Sequence, residues 1–135
     1  MPNLRIPLFI TRILIAIFML PWTIGRFLRA EQIKGVADRY YGPMGGLPDG
    51  VFFVIAIFMA LLLLAFTIGF AKKISYGLIF LLHTVGTIMT IPTMIPVLTG
   101  GEGGNILFFA ALPVVGAMLL LFLLRDQDTF LAVGK

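Results

Sequence analysis

The stretch Val51–Ala71, VFFVIAIFMALLLLAFTIGFA, carries a single polar side chain, Thr67, and no charge. Lipid offers a backbone no water, so every N–H and C=O must be satisfied inside the segment, and a helix needs about 20 mainly apolar residues to cross. This run meets both conditions. Working outward from it, Ile6–Gly25, Ile74–Leu98 and Asn105–Leu124 meet them too. The expected fold is therefore all-α and integral to the membrane. It is a four-transmembrane-helix bundle forming one membrane domain over residues 1–135.

Composition agrees. The chain is 60% hydrophobic and 12% charged, where soluble domains run near about 25% charged. A net charge of +4 invites comparison with nucleic-acid binders. Here, however, the bases sit at span ends instead of along one face, so anionic headgroups are the expected counterions and nucleic acid is not an expected partner. With no cysteine, disulfides, thiolate metal sites and thiol relays are excluded.

The first run, although preceded by Arg5, is longer than a secretory h-region, contains Arg12 and leads into Pro21-Trp22-Thr23-Ile24-Gly25-Arg26. It reads as a permanent span, not a cleaved signal. Between spans one and two lies the only substantial connection, Arg26–Gly50. There Phe27, Ile33, Val36, Ala37 and Tyr40 recur at helical spacing against Arg29, Glu31, Lys34, Asp38 and Arg39. This predicts either a short interfacial helix or a surface loop, followed by an irregular Gly/Pro segment, Gly42–Gly50, able to fold back as a cap. Trp22, Arg26, Arg29, Tyr40, Tyr41, Lys72 and Lys73 are the expected lipid-interface residues. The short links at Lys72-Lys73 and Thr99–Gly104 demand antiparallel hairpins. An even span number then puts both termini on one side, with Arg5, Arg12, Lys72, Lys73, Arg125 and Lys135. That bias places the termini in the cytoplasm of a multi-pass plasma membrane protein of the bacterial inner type.

Few residues could carry chemistry, and no catalytic constellation is visible. Arg12, well inside span one, costs about 2.5–3.5 kcal/mol if left at the membrane centre. It either snorkels to phosphate or turns inward to hold an anion, a quinone carbonyl or a carboxylate, with Asp126 and Asp128 the nearest protein candidates. His83, the single histidine, begins a stripe of His83, Thr87, Thr90 and Met94 on one face of span three, flanked by Gly86 and Thr93. The stripe should face inward. It either lets helices approach and hydrogen-bond across the interface, or lets His83 serve a quinone or a chromophore held by one histidine. Haem generally wants a second ligand, and zinc or di-iron wants several His or carboxylates, so no metal site is expected and no cofactor is required. Pro92, Pro96 and Pro113 each remove a backbone donor and can bend their helices. The run Gly100-Gly101-Glu102-Gly103-Gly104 lacks the strand and the Lys-Ser/Thr of a phosphate loop and reads as a turn.

Arg12 early in span one, Gly25-Arg26 at its end, the Gly/Pro loop, Gly69-Phe70-Ala71-Lys72-Lys73-Ile74-Ser75-Tyr76-Gly77, and the tail Arg125-Asp126-Gln127-Asp128 run over nearly the whole chain. In these features the chain resembles the DoxX-like family of small four-helix membrane proteins. The resemblance implies a four-span bundle and a setting near quinone-linked oxidoreductases. The family often places a carboxylate in span two, whereas Phe53–Phe70 has none, which removes the basis for a proton or redox role resting on that acid. The expected function is an accessory or structural subunit of a larger membrane complex, with lipid and other membrane subunits as partners. The alternatives are a quinone-linked oxidoreductase subunit using Arg12 and His83, and a small-solute transporter, against which the absence of intramembrane acids and inverted repeats counts.

Overall fold

The computed structural model describes residues 2–41 and 46–134. Its helices are α1 (Arg5–Leu28), α2 (Ala30–Tyr40), α3 (Asp49–Ile68), α4 (Lys72–Thr99) and α5 (Ala111–Leu123), with short 3-10 helices at Ile106–Ala110 and Arg125–Gln127. Four segments are long and apolar enough to cross a membrane: α1, α3, α4 and Ile106–Leu123. Among the described residues the chain is an all-helical four-span bundle, as its apolar runs require. Around the ring α1 packs on α3, α3 on α4, α4 on α5 and α5 back on α1. This sets α1 and α4, which run parallel, on one diagonal.

The core explains the ring. Leu8, Ile15, Ala16 and Met19 of α1 meet Leu62, Leu63 and Phe66 of α3, Tyr76 and Ile79 of α4, and Met118 and Leu121 of α5. Leu14, Ile17, Val54, Leu61 and Ile88, each more than half exposed, point outward. In water that surface would be an aggregation hazard; in a bilayer it is solvent-matched. Where α4 nears α5, a Cβ on Gly77 would lie 3.3 Å from the Phe122 ring, so glycine sets that approach.

Boundaries shift for local reasons. Helix α1 runs on to Leu28 and α3 starts at Asp49, which narrows the first connection. The Gly42–Gly45 part of the expected irregular cap lies outside the described residues. Helix α2 is amphipathic, with Ile33, Val36, Ala37 and Tyr40 half-buried and Glu31, Asp38 and Arg39 exposed. A Cβ on Gly25 would lie 3.0 Å from Ile33 Cδ1, so this glycine lets α2 lie against α1. The α3–α4 link is Gly69–Ala71, and both lysines fall in the first turn of α4. The last span opens as a 3-10 turn in which the Asn105 side chain accepts from Leu107 N at 3.0 Å. Pro113 sits in the first turn of α5, where a missing N–H costs nothing, so this proline ends no helix.

Candidate functional site

Arg12 sits one turn after Leu8 and one before Ile15, on the face that α1 buries. Its inward direction follows from that register, and its side chain is 0% exposed. An uncompensated buried guanidinium would cost several kcal/mol, and the chain compensates it with its own C-terminal tail. Arg12 Nη1 donates to Asp128 Oδ2 at 2.9 Å and to Tyr76 Oη at 3.2 Å; Nη2 donates to the Phe130 and Leu131 carbonyls, each at 2.9 Å. Tyr76 Oη in turn donates to Asp128 Oδ2 at 2.6 Å. Asp128 is 0% and Tyr76 1% exposed.

The tail is positioned by three further features. After α5 the 3-10 turn Arg125–Gln127 reverses the chain, and Lys72 Nζ, 4% exposed, donates to the Asp128 carbonyl and, at 3.4 Å, to that of Arg125. Val133 N and Gly134 N donate to the carbonyls of Ile68 and Gly69 at 2.9 and 3.2 Å, satisfying acceptors that the end of α3 leaves open. Phe130 packs edge-on against Phe9, ring centroids 5.1 Å apart. Leu131 adopts φ +47°, a conformation that costs a non-glycine residue about 1–2 kcal/mol. The strain is tolerated where its carbonyl converges with that of Phe130 on Arg12. Gly69, at φ +70°, closes α3, and a Cβ there would lie 2.7 Å from Arg12 Nη1 and 2.8 Å from Ala132 Cβ. Only glycine meets both the backbone and the space requirement. Arg12 Nε and Asp128 Oδ1 are buried without a hydrogen-bond partner among the described residues.

The two acids expected near Arg12 separate. Asp128 takes the ion pair, while Asp126 stays exposed and lines, with Lys72, Thr129 and tail residues, an open cavity of about 420 Å³. Lys72 departs from its expected lipid-interface place because the Gly69–Ala71 link, with Gly69 and Ala71 both left-handed, turns it toward the tail. Lys73 and Arg29 are exposed, and Trp22, Arg26, Tyr40 and Tyr41 are half-buried. Tyr76 and the tail carbonyls were not anticipated. Their signal was a tyrosine four residues after Lys72, hence on its face, and an apolar Phe130-Leu131-Ala132-Val133 following a charged turn.

His83 belongs elsewhere. It is half-buried, its Nε2 lies 3.4 Å from the Ala111 carbonyl, and its ring stands edge-on to Phe18 at 5.4 Å. Phe18 is six residues beyond Arg12 and His83 seven beyond Tyr76, so this contact lies roughly 9–11 Å deeper along both helices. Arg12 and His83 are on one diagonal but do not form one site. Farther along α4, Thr87, Thr90 and Met94 are buried, so the stripe faces inward. Its hydroxyls bond within their own helix: Thr87 to the His83 carbonyl at 2.8 Å, Thr90 to Thr87 at 2.8 Å and Thr93 to Thr90 at 2.6 Å. They make no cross-helix bond among the described residues. No cluster of three or more His, Asp or Glu side chains suited to a metal ion occurs there either.

Fold and site together define a class: a four-span helical membrane protein whose buried arginine is neutralised by its own C-terminal tail. No protein-family model, curated protein or solved structure matches this chain.

Proposed function

We propose that this protein is an accessory, non-catalytic subunit of a larger plasma-membrane complex, DoxX-like in kind and in a quinone-linked or electron-transfer setting. One observation carries the reading. All four Nη hydrogens of Arg12, the residue best suited to hold a ligand, are used within the chain, on Asp128, Tyr76, Phe130 and Leu131. A guanidinium so engaged acts as a staple joining α1, α4 and the tail. The outward faces of α1, α3 and α4 present aliphatic and phenylalanine side chains that suit lipid or a neighbouring apolar helix equally well. Both termini, on the stapled side, belong to the cytoplasm on this reading.

The alternative, in which Arg12 and His83 together serve a quinone, requires the tail to leave Arg12 and one ligand to span two levels of the bundle. Purification from native membranes in mild detergent, with mass spectrometry and an absorption spectrum, separates the two. Stoichiometric co-purifying subunits are the expected result. A protein recovered alone from native membranes would overturn the subunit reading, and a stoichiometric chromophore bound to this chain would favour the alternative.

A further inference from the structure

At the end of the bundle away from the tail, a groove of about 320 Å³ runs between α1, α2 and α3, lined by Arg26, Phe27, Glu31, Lys34, Asp49 and Phe53 among others. Its charges are not equivalent. Lys34 and Asp49 pair with each other across the groove, and Lys34 also lies 5.1 Å from the centroid of Phe52. Arg26 and Glu31 form no ion pair among the described residues, and Arg26 Nη1 is buried with no hydrogen-bond partner there. Tyr41, the phenol nearest in charge to Arg26, offers no anion: burial pushes its ionisation above the ordinary tyrosine value, with Arg26 pulling the other way.

Arg12 has every Nη hydrogen answered by protein, whereas Arg26 lines an open groove and its Nη1 has no partner among the described residues. A half-buried guanidinium whose Nη1 meets no acceptor among the described residues is open to one from a ligand seated in the groove. The groove supplies one unpaired cation and one unpaired carboxylate, the complement of a group carrying a phosphate and an ammonium. Its outer wall is Phe27 and Phe53, both exposed and edge-on at 5.9 Å. Its depth is that of the last turn of α1 and the first turn of α3, where span ends meet headgroups.

We propose that this groove binds one zwitterionic aminophospholipid, its phosphate on Arg26, its ammonium on Glu31 and its upper acyl chains along Phe27 and Phe53. The aromatic wall selects a lipid over free phosphate, which would bring no chain to cover it. Glu31 selects against an anionic headgroup without an amine. The Lys34–Asp49 pair closes the groove's far side and keeps both of those charges from competing for the ligand.

The test is native mass spectrometry of the full chain in detergent with added dioleoyl phosphatidylethanolamine, dioleoyl phosphatidylglycerol or glycerophosphoethanolamine. Expected is one retained phosphatidylethanolamine, held about tenfold more than either competitor, as one charge-assisted contact would give. Arg26→Gln should lower that retention about tenfold, and Glu31→Gln should equalise the two lipids. Should Arg26→Gln fail to fold, a photoactivatable phosphatidylethanolamine on the unaltered protein still decides. Labelling of the Phe27–Lys34 or Asp49–Phe53 segments is expected, and labelling confined elsewhere sinks the proposal. Equal retention by Arg26→Gln, phosphatidylglycerol held as well as phosphatidylethanolamine, or glycerophosphoethanolamine binding as tightly as the lipid would each overturn it.

Discussion

Arg12 and Asp128, 116 residues apart in the chain, meet at 2.9 Å with both side chains wholly withdrawn from solvent. The pair joins the first span to the residues after the last. Breaking a buried ion pair by removing one partner typically costs about 3–5 kcal/mol, because the other charge is stranded. Asp128→Ala should therefore lower stability by roughly that amount, and Arg12→Met/Asp128→Leu together should lie closer to the unaltered protein than either single change. Helicity followed through an SDS titration measures this. A double variant as weak as the sum of the singles would show that Arg12 and Asp128 are not coupled.

The tail's seat depends on Gly69. Alanine there must accept a left-handed backbone, at about 1–3 kcal/mol, and its Cβ would collide with Arg12 Nη1 and Ala132. The cheapest relief is for the tail to lift, since its hold on α3 is two backbone hydrogen bonds, from Val133 and Gly134. Gly69→Ala should thus expose the C-terminus to carboxypeptidase several times faster while leaving total helix content nearly unchanged. Gly103→Ala serves as the control, because it too has positive φ but no neighbour within 4 Å.

The spans were legible because lipid imposes length and apolarity on any crossing helix, and nothing local can evade that. Whether Arg12 snorkels or turns inward was not legible, because every face of span one is apolar around it, but an inward Arg12 could be matched to Asp126 or Asp128. Choosing between those two was not possible, because the choice turns on the 3-10 helix Arg125–Gln127, whose pitch sends alternate side chains to different sides. Lys72 misled for a related reason. A lysine at a span end ordinarily reaches for headgroups, but here two left-handed residues, Gly69 and Ala71, rotate the start of α4 and direct it at tail carbonyls. The strain at Leu131 is likewise imposed by tertiary contacts and leaves no trace in a single sequence.

Four spans require Thr99 and Thr129 to lie on opposite sides of the membrane, and both are exposed. Because the chain has no cysteine, Thr99→Cys and Thr129→Cys each give one unambiguous reporter. A membrane-impermeant maleimide applied to intact cells should label the first and spare the second if the termini are cytoplasmic. Labelling of both from outside would refute the even-span arrangement, and the reverse pattern would invert the orientation alone.

His83 tests whether any cofactor depends on this chain. Its two contacts are modest: a long 3.4 Å approach to the Ala111 carbonyl and an edge-on meeting with Phe18 at 5.4 Å. Glutamine at position 83 keeps a donor for Ala111 but loses the aromatic contact, worth about 0.5–1.5 kcal/mol. His83→Gln should therefore soften the bundle by about 1 kcal/mol. Phe18→Leu, which removes the same contact from the other side, should add little to it, since the two changes delete one interaction. Subunit composition and absorption spectrum of the purified complex should be unchanged, because a packing histidine is replaceable where a ligating imidazole is not. Loss of a stoichiometric pigment on this one substitution, with helicity intact, would make His83 a ligand and overturn the proposed scaffold role.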